Sequence, residues 1–335
     1  MGLCHACDRD VIKTWTDDCL VVIRLLFMTT APTRISLNYH LLQANVPDDL
    51  RHLIIEISRA AKSVQHALRT TELGLAGSTN SFGEEQVTLD IVSNTLIENY
   101  LRESGLVASY ISEENNDVME LSASAPYSVV FDPLDGSSLV DANLTVGSIF
   151  GVYKAQSVFG KTPREQVAAV YALYGPRTLL VYSTGNGVHE FILNEIGEFS
   201  LLREYLGIAD HAKTFSPGNL PAARDNEAYM TIVQEWLRSS LKLRYSGALV
   251  SEAHHILSKG NGIFVNLAGG DFPEGKLRLF FECAPFAYLI EQAGGLSSDG
   301  YQSILDKSLT SLEERTPIII GSKVDVEQVL RTLKL

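Results

Sequence analysis

Cysteine is scarce in this sequence: four occur in 335 residues, with Cys4, Cys7 and Cys19 crowded at the N-terminal tip and Cys283 alone in the remainder. That distribution excludes a disulfide framework. Cys4-x-x-Cys7 lacks a second pair or histidines at ligand spacing, so no metal or redox role is assigned to it. Long apolar runs are also missing. The run Cys19 to Met28 is broken by Arg24 and falls short of the about 20 residues that span a bilayer, which argues against a membrane partner. Asp8, Asp10, Asp17 and Asp18 surround it and argue against secretory or organellar leaders, while Ala6 stands where a myristoylation signal carries Ser or Thr. A cytoplasmic address is therefore expected. Positive charge is in deficit as well, 27 Lys and Arg against 40 Asp and Glu, for a net charge of -13 and a pI near 5.1. Such a chain repels nucleic acid and anionic lipid, and no nucleic-acid partner is expected. A phosphorylated ligand would need local positive charge, from clustered basic residues or from bound metal.

What is present is enough apolar material for a sizeable core, 45% hydrophobic against 20% charged, in one or two domains. Residues 1–46 show no period and read as an N-terminal arm of unknown role. From Pro47-Asp48-Asp49 a helix is expected, with Leu50, Leu53, Ile54, Ile57, Ala61, Val64 and Leu68 on one face. A second runs from Glu84 to about Ser104, stopped by Gly105. Short strands follow over Val107 to Ile111, Tyr127 to Phe131 and Thr145 to Tyr153, then a helix over Pro163 to Tyr174. A hairpin pairs Thr178 to Tyr182 with Val188 to Leu193 through Gly185-Asn186-Gly187. The second half alternates helices near Asn226 to Leu241, Leu249 to Lys259 and Cys283 to Ala293 with strands near Gly262 to Val265 and Leu277 to Glu282, and closes with a helix from Val324. There is no internal repeat and no low-complexity segment. The pattern indicates an α/β protein of layered sheets and helices, with domains over 47–195 and 196–335.

The chemistry concentrates in Phe131-Asp132-Pro133-Leu134-Asp135-Gly136-Ser137-Ser138. Pro133 fixes its own φ and biases Asp132 toward extended geometry, presetting two carboxylates on a rigid turn. Gly136 permits close backbone approach, and Ser137 and Ser138 offer hydroxyl and N–H donors where a helix can begin, an arrangement that suits phosphate. An Asp-Pro-x-Asp-Gly sequence is equally a good solvated turn, and Glu113-Glu114 alone reads as an exposed loop. Asp90 alone reads as a polar helix residue. If Glu113, Glu114 and Glu282 converge on the two aspartates, however, each like-charged pair at 4 Å costs roughly 4 kcal/mol at an effective dielectric near 20. Such a cluster requires cations between its members, and Mg²⁺ prefers this kind of oxygen ligand.

At this point the chain resembles the fructose-1,6-bisphosphatase family, within the lithium-sensitive metal-dependent phosphatases, over roughly residues 50–335. The resemblance is carried in order by Asn80-Ser81-Phe82-Gly83, Ser112-Glu113-Glu114, Phe131 to Ser138, Tyr174-Gly175-Pro176-Arg177-Thr178, Phe215-Ser216-Pro217-Gly218-Asn219, Leu243-Arg244-Tyr245 and Lys276 to Glu282. It implies an αβαβα sandwich and an enzyme that hydrolyses a sugar bisphosphate. It further implies that Glu113, Glu114, Asp132, Asp135 and Glu282, with the Leu134 carbonyl, hold two or three Mg²⁺, for which Mn²⁺ is a substitute. Gly136, Ser137 and Ser138 would contact the scissile phosphate, and Asp90, Glu114 and Glu84 would orient or deprotonate water. Glu84 stands where the family usually has aspartate. Asn219, Arg244, Tyr245 and Lys276 match positions for the sugar and its distal phosphate, the arginine often reaching from a neighbouring subunit, which implies a homodimer or homotetramer. Read without the resemblance, Tyr245 is a core residue and Arg244 and Lys276 are surface charges.

Within the family, Phe215 to Asn219 with Arg224-Asp225-Asn226 looks like the sedoheptulose-1,7-bisphosphatase branch. Ala222 and Asn266 replace tyrosines usual in the fructose branch, so the expected substrate is sedoheptulose 1,7-bisphosphate, cleaved to the 7-phosphate. The alternatives are fructose 1,6-bisphosphate, dual specificity, or a catalytically silent metabolite-binding protein. The cysteine pair through which chloroplast sedoheptulose bisphosphatases are regulated has no counterpart in Leu75 to Thr79.

Overall fold

The computed structural model describes residues 35–71, 75–79, 85–115 and 117–334, and residues 36–335 form one compact unit. Helix α1 (Leu37–Gln43) begins where the Ser36 side chain accepts from the Tyr39 amide, and it buries Leu37, His40 and Leu41. It falls inside the stretch read as an arm, because seven residues are too few to display a period. Helix α2 (Asp48–Thr70) follows Pro47, carries Asp48 and Asp49 in its first turn, and buries Leu50, Leu53, Ile54, Ile57, Ala61 and Val64. Strands β1 (Leu75–Thr79) and β2 (Glu85–Val87) form an antiparallel pair before helix α3 (Thr88–Ser104). The second helix thus starts later than expected from Glu84, which lies outside the described residues.

An eight-stranded sheet dominates the molecule. Its members are β3 (Val107–Ser112), β4 (Met119–Glu120), β5 (Tyr127–Asp135), β6 (Val146–Tyr153), β7 (Gln166–Tyr174), β8 (Thr178–Ser183), β9 (His189–Leu193) and β10 (Phe199–Arg203), in the order β10-β9-β8-β7-β6-β5-β3-β4. Among the described residues, only the β3/β5 pairing in this sheet is parallel. The hairpin around Gly185-Asn186-Gly187 forms as expected, with Tyr182 opposite His189.

The helix expected over Pro163 to Tyr174 is instead one 3-10 turn, Pro163–Glu165, followed by strand β7. Eight of the nine β7 residues are buried. A strand covered on both faces loses the apolar-polar alternation, so its sequence reads equally well as a buried helix.

The chain then enters a second sheet through β11 (Thr214–Gly218), leaving the turn at residue 195 within the β9/β10 hairpin of the first. Helix α4 (Glu227–Arg238), β12 (Lys242–Leu243), helix α5 (Leu249–Lys259), β13 (Ile263–Asn266) and β14 (Leu277–Arg278) follow. Helix α6 (Ala284–Gln292), β15 (Leu296–Ser298), β16 (Arg315–Thr316), β17 (Ile318–Gly321) and helix α7 (Lys323–Leu333) complete the fold. The second sheet has the order β12-β11-β13-β17-β15, while β14 pairs with β16. Helices α1 to α3 cover one face of the large sheet, α5 and α6 pack between the two sheets, and α4 and α7 cover the outer face of the second. This is an αβαβα sandwich. No helix among the described residues is long and apolar enough to cross a membrane.

The strand expected over Leu277 to Glu282 is also corrected. It stops at Arg278, and Leu279–Cys283 forms a π-helical turn closed by the Ala284 N–H on the Leu279 carbonyl, with Pro285 in the first turn of α6. All five residues of the turn are buried, so the sequence carried an apolar run without a period to identify it.

Candidate active site

Asp132 and Asp135 are three residues apart on β5, and in a regular strand they would face opposite sides of the sheet. Opposite them on β6, the partners are Ile149 and Gly147, only two residues apart. The extra residue on β5 is a bulge, which turns both carboxylates to one side. Pro133 sits inside it, where the missing N–H costs no ladder bond. The Pro133 carbonyl accepts from Ser148 Oγ at 2.7 Å, and Ser148 Oγ lies 2.9 Å from the Tyr174 hydroxyl. Asp132 Oδ1 accepts from the Leu134 amide at 2.8 Å, fixing its rotamer within the bulge.

Helix α5 supports the second aspartate. Its first turn directs the Val250 N–H at Asp135 Oδ2, 2.5 Å away, where unsatisfied helix amides favour negative charge. Glu252, buried on the same helix, accepts from the Ser246 amide and hydroxyl at 2.5 and 2.8 Å and thereby holds the turn that brings Gly247 to the cleft. Gly136 has φ +82°, and a Cβ there would meet the Ala248 Cβ at 2.6 Å, so this turn passes too close for any other residue. A 3-10 turn over Ser137–Leu139 starts immediately after it.

Glu282 reaches the aspartates from the π-helical turn, with Oε2 accepting from the Arg278 amide at 2.7 Å. One carboxylate oxygen from each of Asp132, Asp135 and Glu282 lies within 4.8 Å of the others, and all three residues are buried. Burial, followed by the charges of Glu113, Asp135 and Glu282, pushes the Asp132 carboxyl well above the usual range. Burial raises Asp135 to about 6, against the pull of N–H donation from Val250 and Leu249. Burial and the charges of Glu113 and Asp135 raise Glu282 in the same way. The Arg278 Nε lies 3.6 Å from Glu113 Oε1 and supplies part of the missing positive charge.

Glu113 and Glu114 follow β3 on a turn tied to α3. The Glu114 amide donates to Ser112 Oγ at 3.2 Å, Ser112 Oγ donates to Asn94 Oδ1 at 2.6 Å, and Asn94 and Asn115 both donate to Glu98. A cleft of about 220 Å³ joins these parts. Asp90, Glu113, Glu114, Asp132, Leu134 and Asp135 line it, together with Gly136, Ser137, Ser138, Lys276 and Glu282. Lys276 is exposed, its amine 5.8 Å from the centre of the Phe272 ring.

The other expected substrate contacts lie outside that lining. Asn219, in the left-handed region at φ 43°, is buried and donates to the Leu267 carbonyl at 2.7 Å. Arg244 is exposed and donates to the Leu243 carbonyl. Tyr245 is half exposed; burial, then the charges of Glu252 and Asp135, raise its phenol. Sequence reasoning missed Ser148, Glu252 and the backbone of Val250. Ser148 and Val250 act on residues 15 and 115 positions away, and Glu252 acts on a turn six residues before it, where no local pattern marks it.

Buried oxygen donors without sulfur or imidazole are the chemistry of a hard divalent cation, and the fold that carries them is a layered α/β sandwich. Family models described as "Fructose-1-6-bisphosphatase, N-terminal domain" and "Fructose-1-6-bisphosphatase, C-terminal domain" match residues 30–204 and 208–334. The chain is 44% identical over 301 residues to a fructose-1,6-bisphosphatase class 1 of Geobacter metallireducens, covering 89% of this chain and 95% of that one. It is 39% identical over 302 residues to a chloroplastic sedoheptulose-1,7-bisphosphatase of Triticum aestivum, covering 89% and 76%. The crystal structure of Leishmania major fructose-1,6-bisphosphatase in holo form is similar with a TM-score of 0.85 at 30% identity, covering 91% of this chain and 100% of that one. The chain therefore belongs to the fructose-1,6-bisphosphatase family, and it is a phosphatase.

Proposed function

We propose that this chain removes the C1 phosphate of a sugar bisphosphate with the help of Mg²⁺, and that fructose 1,6-bisphosphate is its principal substrate. The observation that carries the reading is the buried gathering of Asp132, Asp135 and Glu282, an all-oxygen donor set whose charges need cations. These three, with Glu113, Glu114 and the Leu134 carbonyl, are the groups that would hold two or three Mg²⁺, and Mn²⁺ suits the same donors. When bound, the cations supply positive charge for the phosphoryl oxygens and acidify the attacking water.

The chain's own groups do the rest. Glu114 and Asp90 face the cleft and orient the water or accept its proton. Glu84, assigned the same task by resemblance, lies outside the described residues. Gly136, Ser137 and Ser138 present N–H and hydroxyl donors to the scissile phosphate from the start of the 3-10 turn. Lys276 stands at the same cleft for the substrate's negative charge, while Asn219, Arg244 and Tyr245 serve the sugar and distal phosphate, Arg244 across a dimer or tetramer contact.

The six-carbon substrate is preferred over the seven-carbon one because the fructose-1,6-bisphosphatase of Geobacter metallireducens is more similar to this chain than the wheat sedoheptulose enzyme. The seven-carbon reading keeps the support of Ala222 and Asn266, at positions where a tyrosine is usual in the fructose branch, and of the run Phe215 to Asn219 with Arg224-Asp225-Asn226. Side-by-side kcat/KM values decide between them: a higher value on sedoheptulose 1,7-bisphosphate reverses the preference, and similar values mean dual specificity. For the site itself, Asp135→Asn keeps the shape and an acceptor for the Val250 N–H. It is expected to lower Mg²⁺-dependent phosphate release by more than about 100-fold, beyond the usual cost of a lost supporting bond to a metal ligand, with an unchanged circular-dichroism spectrum. Near-normal turnover would remove Asp135 from the scheme.

A further inference from the structure

A second cluster of metal-ligating side chains lies at the opposite end of the large sheet from the carboxylates. His40 comes from α1, His189 from β9, and Glu204 follows β10. One donor atom from each lies within 4.8 Å of the other two. Strand β9 is four strand spacings from β5, roughly 19 Å, so the cluster is separate from the phosphatase cleft.

The surroundings orient both imidazoles and set the tautomer of His189. His189 Nε2 lies 3.1 Å from the Asn186 carbonyl, which can only accept, so the proton sits there and the lone pair is left on Nδ1. That Nδ1 accepts a long hydrogen bond from the Tyr205 amide at 3.4 Å, which an ion on Nδ1 would replace. His40 Nε2 donates to Glu204 Oε1 at 3.0 Å and its Nδ1 is held 2.6 Å from the buried Tyr182 hydroxyl. An ion at Nε2 would therefore shift the ring proton to Nδ1, where the Tyr182 oxygen can accept it. The two rings are 4.6 Å apart between centres. Hydrogen bonds to the outward nitrogens of two histidines, with a carboxylate beside the inward ones, are how proteins orient zinc ligands.

We propose that His40, His189 and Glu204 form a binding site for a borderline transition ion, Zn²⁺ in particular, that clasps helix α1 to the β9/β10 edge of the sheet. Two imidazoles and one carboxylate are an established zinc donor set, whereas Mg²⁺ selects oxygen alone. Tetrahedral bonds of about 2.0–2.1 Å set donors roughly 3.4 Å apart, so the observed spacing closes with small side-chain movements. Both histidines are buried, but the Glu204 side chain is 47% exposed and gives the ion a way in.

The test is Zn²⁺ binding to the purified full chain by equilibrium dialysis in excess Mg²⁺, which keeps the carboxylate cleft occupied. The expected result is one Zn²⁺ per chain that survives Asp135→Asn, is lost in His189→Gln, and binds at least about tenfold more weakly in Glu204→Gln. Since Glu204 is exposed, its variant should fold normally and keep Mg²⁺-dependent phosphate release. In chain labelled with ¹⁵N-histidine, Zn²⁺ should shift the ring signals of His40 and His189 and no other histidine. Equal Zn²⁺ binding in the wild type and Glu204→Gln, loss of Zn²⁺ in Asp135→Asn, or no binding in the presence of Mg²⁺ would overturn the proposal and leave the cluster a hydrogen-bonded clasp alone.

Discussion

His254 illustrates how a single largely buried group outside the cleft sets the conditions under which this protein stays folded. Its Nδ1 lies 2.9 Å from the Tyr171 hydroxyl, and its Nε2 lies 3.9 Å from Glu190 Oε1. Burial lowers its pKa to about 4, despite the opposing charge of Glu190. Between pH 4 and 6.5 the unfolded chain therefore binds a proton that the native state refuses, so stability falls as pH drops through that window. At pH 5 the penalty from this residue is about 2 kcal/mol, and it vanishes above pH 7. His254→Gln should flatten this part of the pH profile. Urea unfolding of both proteins at pH 5 and pH 7 checks it, and an equal pH dependence in the two would show that His254 is not the group responsible. The residues of the candidate active site were legible for a different reason. Asp132, Asp135, Glu113 and Glu282 stand beside strongly apolar segments, so carboxylates at those positions are conspicuous in sequence. Ser148 and Glu252 are not, because an isolated serine in a strand and a glutamate in a helix are ordinary until tertiary contacts give them partners.

Among the elements, β5 does most to build the site, through a bulge that sequence alone did not reveal. Asp-Pro-x-Asp-Gly predicts a rigid turn. The structure places the two aspartates within the strand itself, where the added residue against β6 brings them to one face. Ser148 ties that bulge to β7 through Pro133 and Tyr174. Replacing it in Ser148→Ala strands a buried carbonyl and should cost about 1–3 kcal/mol. Its urea midpoint is expected to fall, and the Mg²⁺ concentration needed for half-maximal phosphate release to rise, because the aspartates lose their support. An unchanged Mg²⁺ requirement would separate the bulge from the site. Strand β7 and the Glu282 turn mark the limit of periodicity: both are apolar runs covered on every side, and neither alternation nor a helical stripe survives such burial.

Across the whole molecule, the large sheet keeps two ligand chemistries apart, oxygen donors beside β5 and imidazoles beside β9. Layering of helices and sheets was legible from the alternation of elements, and the αβαβα order from family resemblance. The pairing of β11, β12, β13, β15 and β17 into a second sheet was not, since four of its strands have four residues or fewer. What unites the molecule functionally is a set of acidic side chains that a net negative chain would not collect without cations. The decisive measurement is inorganic phosphate release from fructose 1,6-bisphosphate and sedoheptulose 1,7-bisphosphate by the EDTA-treated chain, followed through a Mg²⁺ titration. The account expects no release without the metal and saturable release as Mg²⁺ is restored; silence toward both sugars at every Mg²⁺ concentration, or equal rates with and without EDTA, would contradict it.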